Sequence, residues 1–586
     1  MLRLLHGYKA APFLIRYIST KPIIRIPKSS IHPFGDPSNQ RPILQNVDWT
    51  INEGEAWAVM SASSGDSGKS AIFQTLLGHL RILSNPKEPL QHGLYPFIGE
   101  NIDPYSRVSA VSFSHRSNRG GAFYDYTARY GAIRDEDALT LRESMFPESI
   151  LEDKPDPLAG SPFDKPKVKK RAFEDVVKLS DEDKALFDSL VKEMDLERLL
   201  DLPLIALSNG QTRRARIVRA VLARPEIILL DEPLTGLDVS SRPKLLNLLH
   251  KLHQTRKPRV VLGLRTQDDI PEWVTHVALV QDGTVKAGVK NDVVPFIKHN
   301  PSVLDVSGTG PIGGGAGSIV LDLRGVSVKY GDRIVLDNLS WQVRQGERWH
   351  LQGVNGSGKT TLMSLILGDH PQSYVQPHLL LPSPPVPAIP SKFVLNHRKR
   401  IPTAHLRQSI GVVSPELFDA FPRRHGPSGM SVWEAIGTGF EGVFVPLSGN
   451  GIGANLPEQK SLRDWREERM WDVLENLGPS AWKPSEYPRE IAAEFAQKKF
   501  ADLSVGEQRL VLLMRTLVGR PPLVLLDEVW SGMNEEMVNA AKKYLRERVG
   551  NDQAVVLITH WEDEVPWTQS EGLKTFRLEE GKGYLV

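Results

Sequence analysis

The sequence predicts an α/β fold of two domains in tandem, each a mainly parallel sheet between helices with a helical subdomain attached. Three observations predict it. The chain repeats itself at a spacing of about 290–296 residues. Ala56-Trp57-Ala58-Val59 returns as Arg348-Trp349-His350-Leu351, Leu207-Ser208-Asn209-Gly210-Gln211 as Leu503-Ser504-Val505-Gly506-Glu507, and Leu229-Leu230-Asp231-Glu232 as Leu525-Leu526-Asp527-Glu528. Ser208 to Asp231 and Ser504 to Asp527 are both 23 residues, so two copies of one domain are the economical reading. In each copy a loop rich in Gly and Ser lies between a strand-like apolar run and a helical pattern. Finally, 586 residues, 40% hydrophobic and 24% charged, suffice for three or four small globular cores or two large domains with insertions.

Taken in chain order, residues 1–35 hold Arg3, Lys9, Arg16, Lys21, Arg25 and Lys28 and no Asp or Glu. Leu2, Leu4, Leu5, Phe13, Leu14 and Ile18 form an apolar stripe between those charges. A basic, acid-free, amphipathic start is the pattern of a mitochondrial transit peptide, which predicts a mitochondrial matrix protein and sets this segment outside the fold. The first domain is expected over 36–302. Residues 303–318 (VLDVSGTGPIGGGAGS) read as a flexible linker. The second domain is expected over 319–586. Charged Asp153–Lys170 and Pro-rich Leu379–Lys392 read as surface insertions.

Composition also excludes functions. There are no cysteines, which removes disulfides, cysteine zinc sites, iron–sulfur clusters and a thiol nucleophile. No stretch approaches 18 consecutive apolar residues, so no membrane span is expected. The net charge is +2, but the basic start carries more than that, and the body is mildly acidic; this is no clear nucleic-acid footprint. His250 and His253 are at helical spacing on a Leu/Lys-rich pattern and read as a surface helix, not a metal site.

Gly353-Val354-Asn355-Gly356-Ser357-Gly358-Lys359-Thr360 is a complete phosphate loop. Its glycines let backbone N–H groups wrap phosphates at a helix N-terminus. Lys359 is placed for the β- and γ-phosphates and Thr360, followed by Thr361, for Mg²⁺. Pro522–Asp527 is a strand-like run ending in two acids. Asp527 would support Mg²⁺, and Glu528 would orient or deprotonate the attacking water.

With Leu503-Ser504-Val505-Gly506-Glu507 beside that loop, both copies resemble the nucleotide-binding domain of the ATP-binding cassette (ABC) family over about residues 36–586. The resemblance implies P-loop ABC domains that bind ATP and Mg²⁺ and pair head to tail, each ATP lying between one phosphate loop and the other domain's signature. It implies that Tyr330 stacks on adenine, with Phe34 or a neighbour as the weaker counterpart, and that His560 contacts the γ-phosphate. One composite site would join Lys359, Thr360, Asp527, Glu528 and His560 to Ser208, Gly210 and Gln211. The other would join Ser63, Gly65, Ser67, Gly68, Lys69, Ser70, Asp231 and Glu232 to Ser504, Gly506 and Glu507, with Ser70 and Asp231 on the metal.

The chain also departs from the family. In the first loop Ser63 replaces the leading glycine, Asp66 brings an acid, and Trp57 to Lys69 spans 12 residues against 10 for Trp349 to Lys359. Arg265 aligns with His560; it can touch a phosphate but cannot titrate near neutrality. The second site is therefore expected to turn over while the first holds nucleotide longer. The glutamine the family carries between loop and signature is missing from Val111-Ser112-Phe113-Ser114-His115 and from Val412-Val413-Ser414-Pro415-Glu416. Asn534 replaces the family's Asp after the catalytic acid, whereas Asp238 is kept. Tandem chains of this kind resemble a soluble molybdate-ATPase-like or photorepair-like subgroup. The reading is an Mg²⁺-dependent ATPase acting on an unknown protein partner, soluble or transmembrane. The alternatives are the ATPase component of a transporter with separately encoded membrane subunits, a ribosome-associated translation factor, and a nucleotide-gated clamp with negligible turnover.

Overall fold

The computed structural model describes residues 22–35, 41–61, 67–84, 93–98, 102–112, 140–146, 180–202, 207, 209–235, 237, 241–265, 268–281, 283–296, 317–330, 333–385, 392–448, 450–453, 459–482, 487–559 and 562–586. The first half opens with an antiparallel sheet of β1 (Pro22–His32), β2 (Leu44–Asn52) and β4 (Arg81–Leu83), in the order β2-β1-β4. Ile23, Ile24, Ile26 and Ile31 of β1 are buried against Trp49 and Trp57. This corrects the expectation that residues 1–35 stand outside the fold: from Pro22 onward that stretch is a core strand, because its isoleucines are buried while Arg25 and Lys28 stay exposed. Residues 1–21 lie outside the described residues.

The main sheet of the first half runs β5 (Val108–Ser112), β6 (Ile227–Asp231), β7 (Arg259–Gly263), β3 (Trp57–Ser61), β8 (His276–Gln281) and β9 (Thr284–Val289), parallel except for the last pair. The second half repeats it as β15 (Ile410–Val413), β16 (Leu523–Asp527), β17 (Ala554–Ile558), β12 (Arg348–Gly353), β18 (Leu573–Glu579) and β19 (Lys582–Leu585). β6, β16 and β17 are aliphatic runs buried along their whole length, as strands covered on both faces must be. Beside this sheet lies β11 (Arg333–Arg344), β10 (Ile319–Tyr330), β13 (His378–Ser383) and β14 (Val394–His397). The Pro-rich stretch from Leu379 is therefore no surface insertion at its start: Leu379 and Leu381 are core residues of β13. Asp153–Lys170, and the linker up to 316, lie outside the described residues.

The repeat extends to side-chain detail. Trp49 meets Trp57 edge to face at 5.7 Å, and Trp341 meets Trp349 at 5.5 Å. Each second tryptophan donates its Nε1–H to a glutamate two residues back, Glu55 or Glu347, at 2.9 Å.

Two helices matter most in each half: α1 (Ser67–Leu76) and α2 (Asn209–Leu222) in the first, α3 (Lys359–Ile366) and α4 (Val505–Val518) in the second. α1 and α3 follow the glycine loops. α4 packs against the helices Val432–Gly437 and Lys460–Leu477, which Pro488–Gln497 packs on in turn, and Ile436, Met470, Leu474 and Phe495 share one core with it. In the first half Asp181–Glu193 and Leu141–Met145 do the same for α2. Among the described residues no helix is long and apolar enough to cross a membrane.

Candidate functional site

The second glycine loop leaves the end of β12 and enters α3 with Gly356 and Gly358 at φ +88° and +105°, where side-chain-bearing residues are strained. A Cβ on Gly358 would lie 2.8 Å from Leu336 Cδ2 and 3.0 Å from the Val335 carbonyl, so the position admits only glycine. Lys359 Nζ curls back to donate to the carbonyls of Gly353 (2.6 Å) and Val354 (3.1 Å). Ser357 Oγ is buried with no hydrogen-bond partner among the described residues. Thr360 is exposed at the first turn of α3, and Thr361 is half-buried beside it.

Asp527 ends β16. Burial, then the carboxylates of Glu528 and Glu416, push its pKa well above the usual range; Lys359 and Arg213 oppose them. Thr360, Ser414 and Glu416 line one cleft. Glu416 thus stands near the acids in the segment where the sequence offers no glutamine. Among the described residues no three His, Asp or Glu side chains form a ready metal cage. A nucleotide-bound Mg²⁺ needs none, since one carboxylate, one hydroxyl and phosphate oxygens suffice. Unsatisfied Ser357 Oγ, the left-handed loop, and Glu416 sharing a cleft with Thr360 and within electrostatic reach of Asp527 all fit a triphosphate with its cation. Asp527 and Thr360 would hold the metal, and Lys359 the phosphates.

The first site differs in its lysine. Lys69, on α1, is buried; its Nζ lies 3.1 Å from Asp231 Oδ1 and 2.8 Å from Glu232 Oε1. Burial would raise the Glu232 pKa, but Lys69, Arg265 and Arg509 outweigh it and hold the carboxyl well below its ordinary value. Ser67 opens α1; Gly68 packs so tightly that a Cβ would lie 2.5 Å from Val280 Cγ1; Ser70 is half-buried. Ser63 and Gly65 lie outside the described residues. Lys69 is held by the acids it would leave for a phosphate, so this site fits a nucleotide less readily.

Both glutamates after the strands share a left-handed backbone, φ +53° at Glu232 and +47° at Glu528. Their N–H groups donate to the neighbouring strand's last carbonyl, Gly263 at 2.9 Å and Ile558 at 3.2 Å. Such strained turns gather at functional sites.

The two halves meet head to tail at the second site. A Cβ on Gly210 would fall 2.2 Å from Asn355 Nδ2, and one on Gly356 would fall 3.0 Å from Gln211 Nε2. The first turn of α2 is therefore packed on the second loop. Arg213 of α2 crosses to Glu528, Nη2 to Oε2 at 3.1 Å. In α4, Ser504 and Glu507 close a capping box, the Ser504 N–H and Oγ–H donating to Glu507 at 3.0 and 2.8 Å. Gly506 is packed on its own domain, where a Cβ would come within 2.5 Å of the Gly532 carbonyl.

Of the remaining candidates, Tyr330 ends β10, and Phe34 is 66% exposed just beyond β1. Ser208 and His560 lie outside the described residues. Arg265 pairs with Asp268 at 2.8 Å; burial alone would lower its pKa, but Asp268, and then Glu232, raise it. Asn534 caps the helix Glu535–Glu547 by accepting from Met537 N–H. His250 stacks on Trp273 and His253 meets it at a tilt, each at 5.5 Å, as structural side chains.

A family model described as ABC transporter matches residues 44–235 and 336–531. The chain belongs to the ABC transporter family. An uncharacterized ABC transporter ATP-binding protein of Schizosaccharomyces pombe is 28% identical over 533 residues, covering 90% of this chain and 93% of that protein. The ABC transporter ATP-binding protein ModF of Escherichia coli is 27% identical, covering 89% and 91%. Among solved structures, a model of ribosome-bound archaeal Pelota and ABCE1 shares the fold, with TM-score 0.50 and 15% identity over 96% of this chain and 78% of that one.

Within this ABC framework the site holds residues that motif reading passed over: Arg213, Arg509 and Glu416. The arginines had a signal. Both stand two residues past the signature's last position, and their separation equals that of Ser208 and Ser504. Glu416 stands in the stretch where the family's glutamine is missing, but only the fold brings it within electrostatic reach of Asp527.

Proposed function

We propose that the chain is an Mg²⁺-dependent ATPase in which ATP closes the two domains and hydrolysis with phosphate release reopens them, and that this stroke acts on a protein partner in the mitochondrial matrix. The observation that carries the reading is the seating of Gly210 and Gln211 against Asn355 and Gly356, which puts a signature helix N-terminus on a phosphate loop of the other domain. Hydroxyl and helix-end N–H groups there favour an anionic γ-phosphate. Lys359, Thr360, Asp527, Glu528 and His560 form the working site. Lys69 held by Asp231 and Glu232 supports slower exchange at the first.

Two variants test this. Glu528→Gln abolishes steady-state ATP hydrolysis while ATP binding persists, and Glu232→Gln lowers turnover much less. Equal losses in the two variants overturn the division of labour. A second reading, the ATPase component of a membrane transporter, draws on the names of the relatives. Purifying Glu528→Gln protein from mitochondria with ATP and with ADP separates the two: an integral membrane protein retained only with ATP establishes the transporter reading, and ribosomal or other soluble partners establish the first. Recovery of the bait solely outside mitochondria sinks the targeting proposal.

A further inference from the structure

Glu528 is reached from two sides. Its own domain fixes the backbone in a strained left-handed turn with the N–H on the Ile558 carbonyl. The other domain sends Arg213, whose Nη2 holds Glu528 Oε2 at 3.1 Å while Nη1 donates to the carbonyl of Thr235, in the loop after β6. Arg213 and Glu528 are 9% and 14% exposed at the side chain, so little solvent screens the pair. A guanidinium gripped at both ends, with a planar fork, has one orientation available. Asp527 precedes the glutamate, and Arg509 and Glu564 lie within electrostatic reach of it. The first site is built otherwise: Glu232 Oε1 takes Lys69 of its own domain, and its Oε2 accepts from Thr235 Oγ1 at 3.4 Å.

We propose that Arg213 is a positioning residue for hydrolysis at the second site, a side chain of the first domain that sets the direction of the Glu528 carboxylate and does so only while α2 is seated on the second domain. Hydrolytic competence of one domain then depends on a residue of the other, in addition to whatever the signature gives the nucleotide. The proposal rests on the reading of Glu528 as the group that acts on the attacking water.

The test is steady-state MgATP hydrolysis by the full chain, with ATP affinity measured separately by equilibrium binding. Arg213→Met lowers kcat by roughly ten- to a hundredfold, the range for groups that orient a reacting residue, and leaves KM and ATP affinity unchanged. Arg213→Lys restores part of the rate. Arg213→Gln, which keeps two donors in a smaller volume, carries the same test if the methionine variant does not fold. An unchanged or increased kcat in both neutral variants, or a loss of ATP affinity as large as the loss of kcat, overturns the proposal. Wild-type protein without any MgATP turnover overturns the reading of Glu528 and this proposal with it; normal wild-type turnover with unaffected Arg213 variants overturns this proposal alone.

Discussion

Lys69 and Lys359 occupy the same place in their loops, yet one is buried between two carboxylates and the other lies over loop carbonyls at the rim. The first is a buried charge group, in which deleting one member costs about 3–5 kcal/mol because the others stay desolvated. Lys359 sits where water can replace it. Lys69→Ala therefore lowers unfolding stability by about that amount in urea titration. Lys359→Ala leaves the urea midpoint nearly unchanged and removes MgATP binding at the second site. Equal urea midpoints for the two variants contradict the difference in burial. The lysines themselves were legible as the ends of glycine loops. The ion pairing of Lys69 was not, since it depends on α1 and β6 meeting across the sheet.

At the scale of the element, the two signature helices follow similar sequences and are used differently. Ser504-Val505-Gly506-Glu507 spells a capping box, and α4 forms one. Gly506 is then pressed against the Gly532 carbonyl of its own domain, whereas Gly210 faces the end of the Asn355 side chain across the boundary. A methyl group at the first meets backbone; at the second it meets a side chain that can move. Gly506→Ala accordingly costs about 1–3 kcal/mol of unfolding free energy. Gly210→Ala leaves the denaturation curve close to wild type but weakens ATP-dependent closure, read as the change in small-angle scattering on adding MgATP. A destabilisation by Gly210→Ala as large as that by Gly506→Ala contradicts this packing.

Across the whole molecule, burial holds several titratable groups in their uncharged form. His370, capping the turn Pro371–Tyr374, is pushed down to about 4 by burial; His253 is pushed to about 4 by burial, then by Arg256 and His250. The folded protein keeps both neutral, while the unfolded chain protonates near 6.5. Their contribution is intact above that pH and is lost as pH falls from about 6.5 toward 4, because the unfolded state then binds more protons. Each histidine accounts for roughly 1 kcal/mol of destabilisation by pH 5.5. The variant His253→Gln with His370→Asn shows a smaller drop in urea midpoint between about pH 7.5 and 5.5; an unchanged drop removes these groups from the acid response.

The sequence by itself determined the two-copy α/β plan, the second phosphate loop with Lys359 and Thr360, the Asp-Glu strand ends and the signature helices, because each is a local pattern: a period, a glycine spacing, a capping box. It also marked the first loop as altered. It misread Pro22–His32, whose exposed basic residues Arg25 and Lys28 hid a strand of buried isoleucines, and the start of the Pro-rich stretch, whose leucines belong to β13. What only the tertiary structure decided is who faces whom. Arg213 on Glu528, Glu416 near Asp527, and Lys69 between Asp231 and Glu232 join residues from 111 to 315 positions apart in the chain, far beyond any local pattern, such as the 163 between Lys69 and Glu232 and the 315 between Arg213 and Glu528. Local chemistry writes the loops and helix starts. Charge pairing across a sheet or a domain boundary exists only once packing has excluded water from both partners.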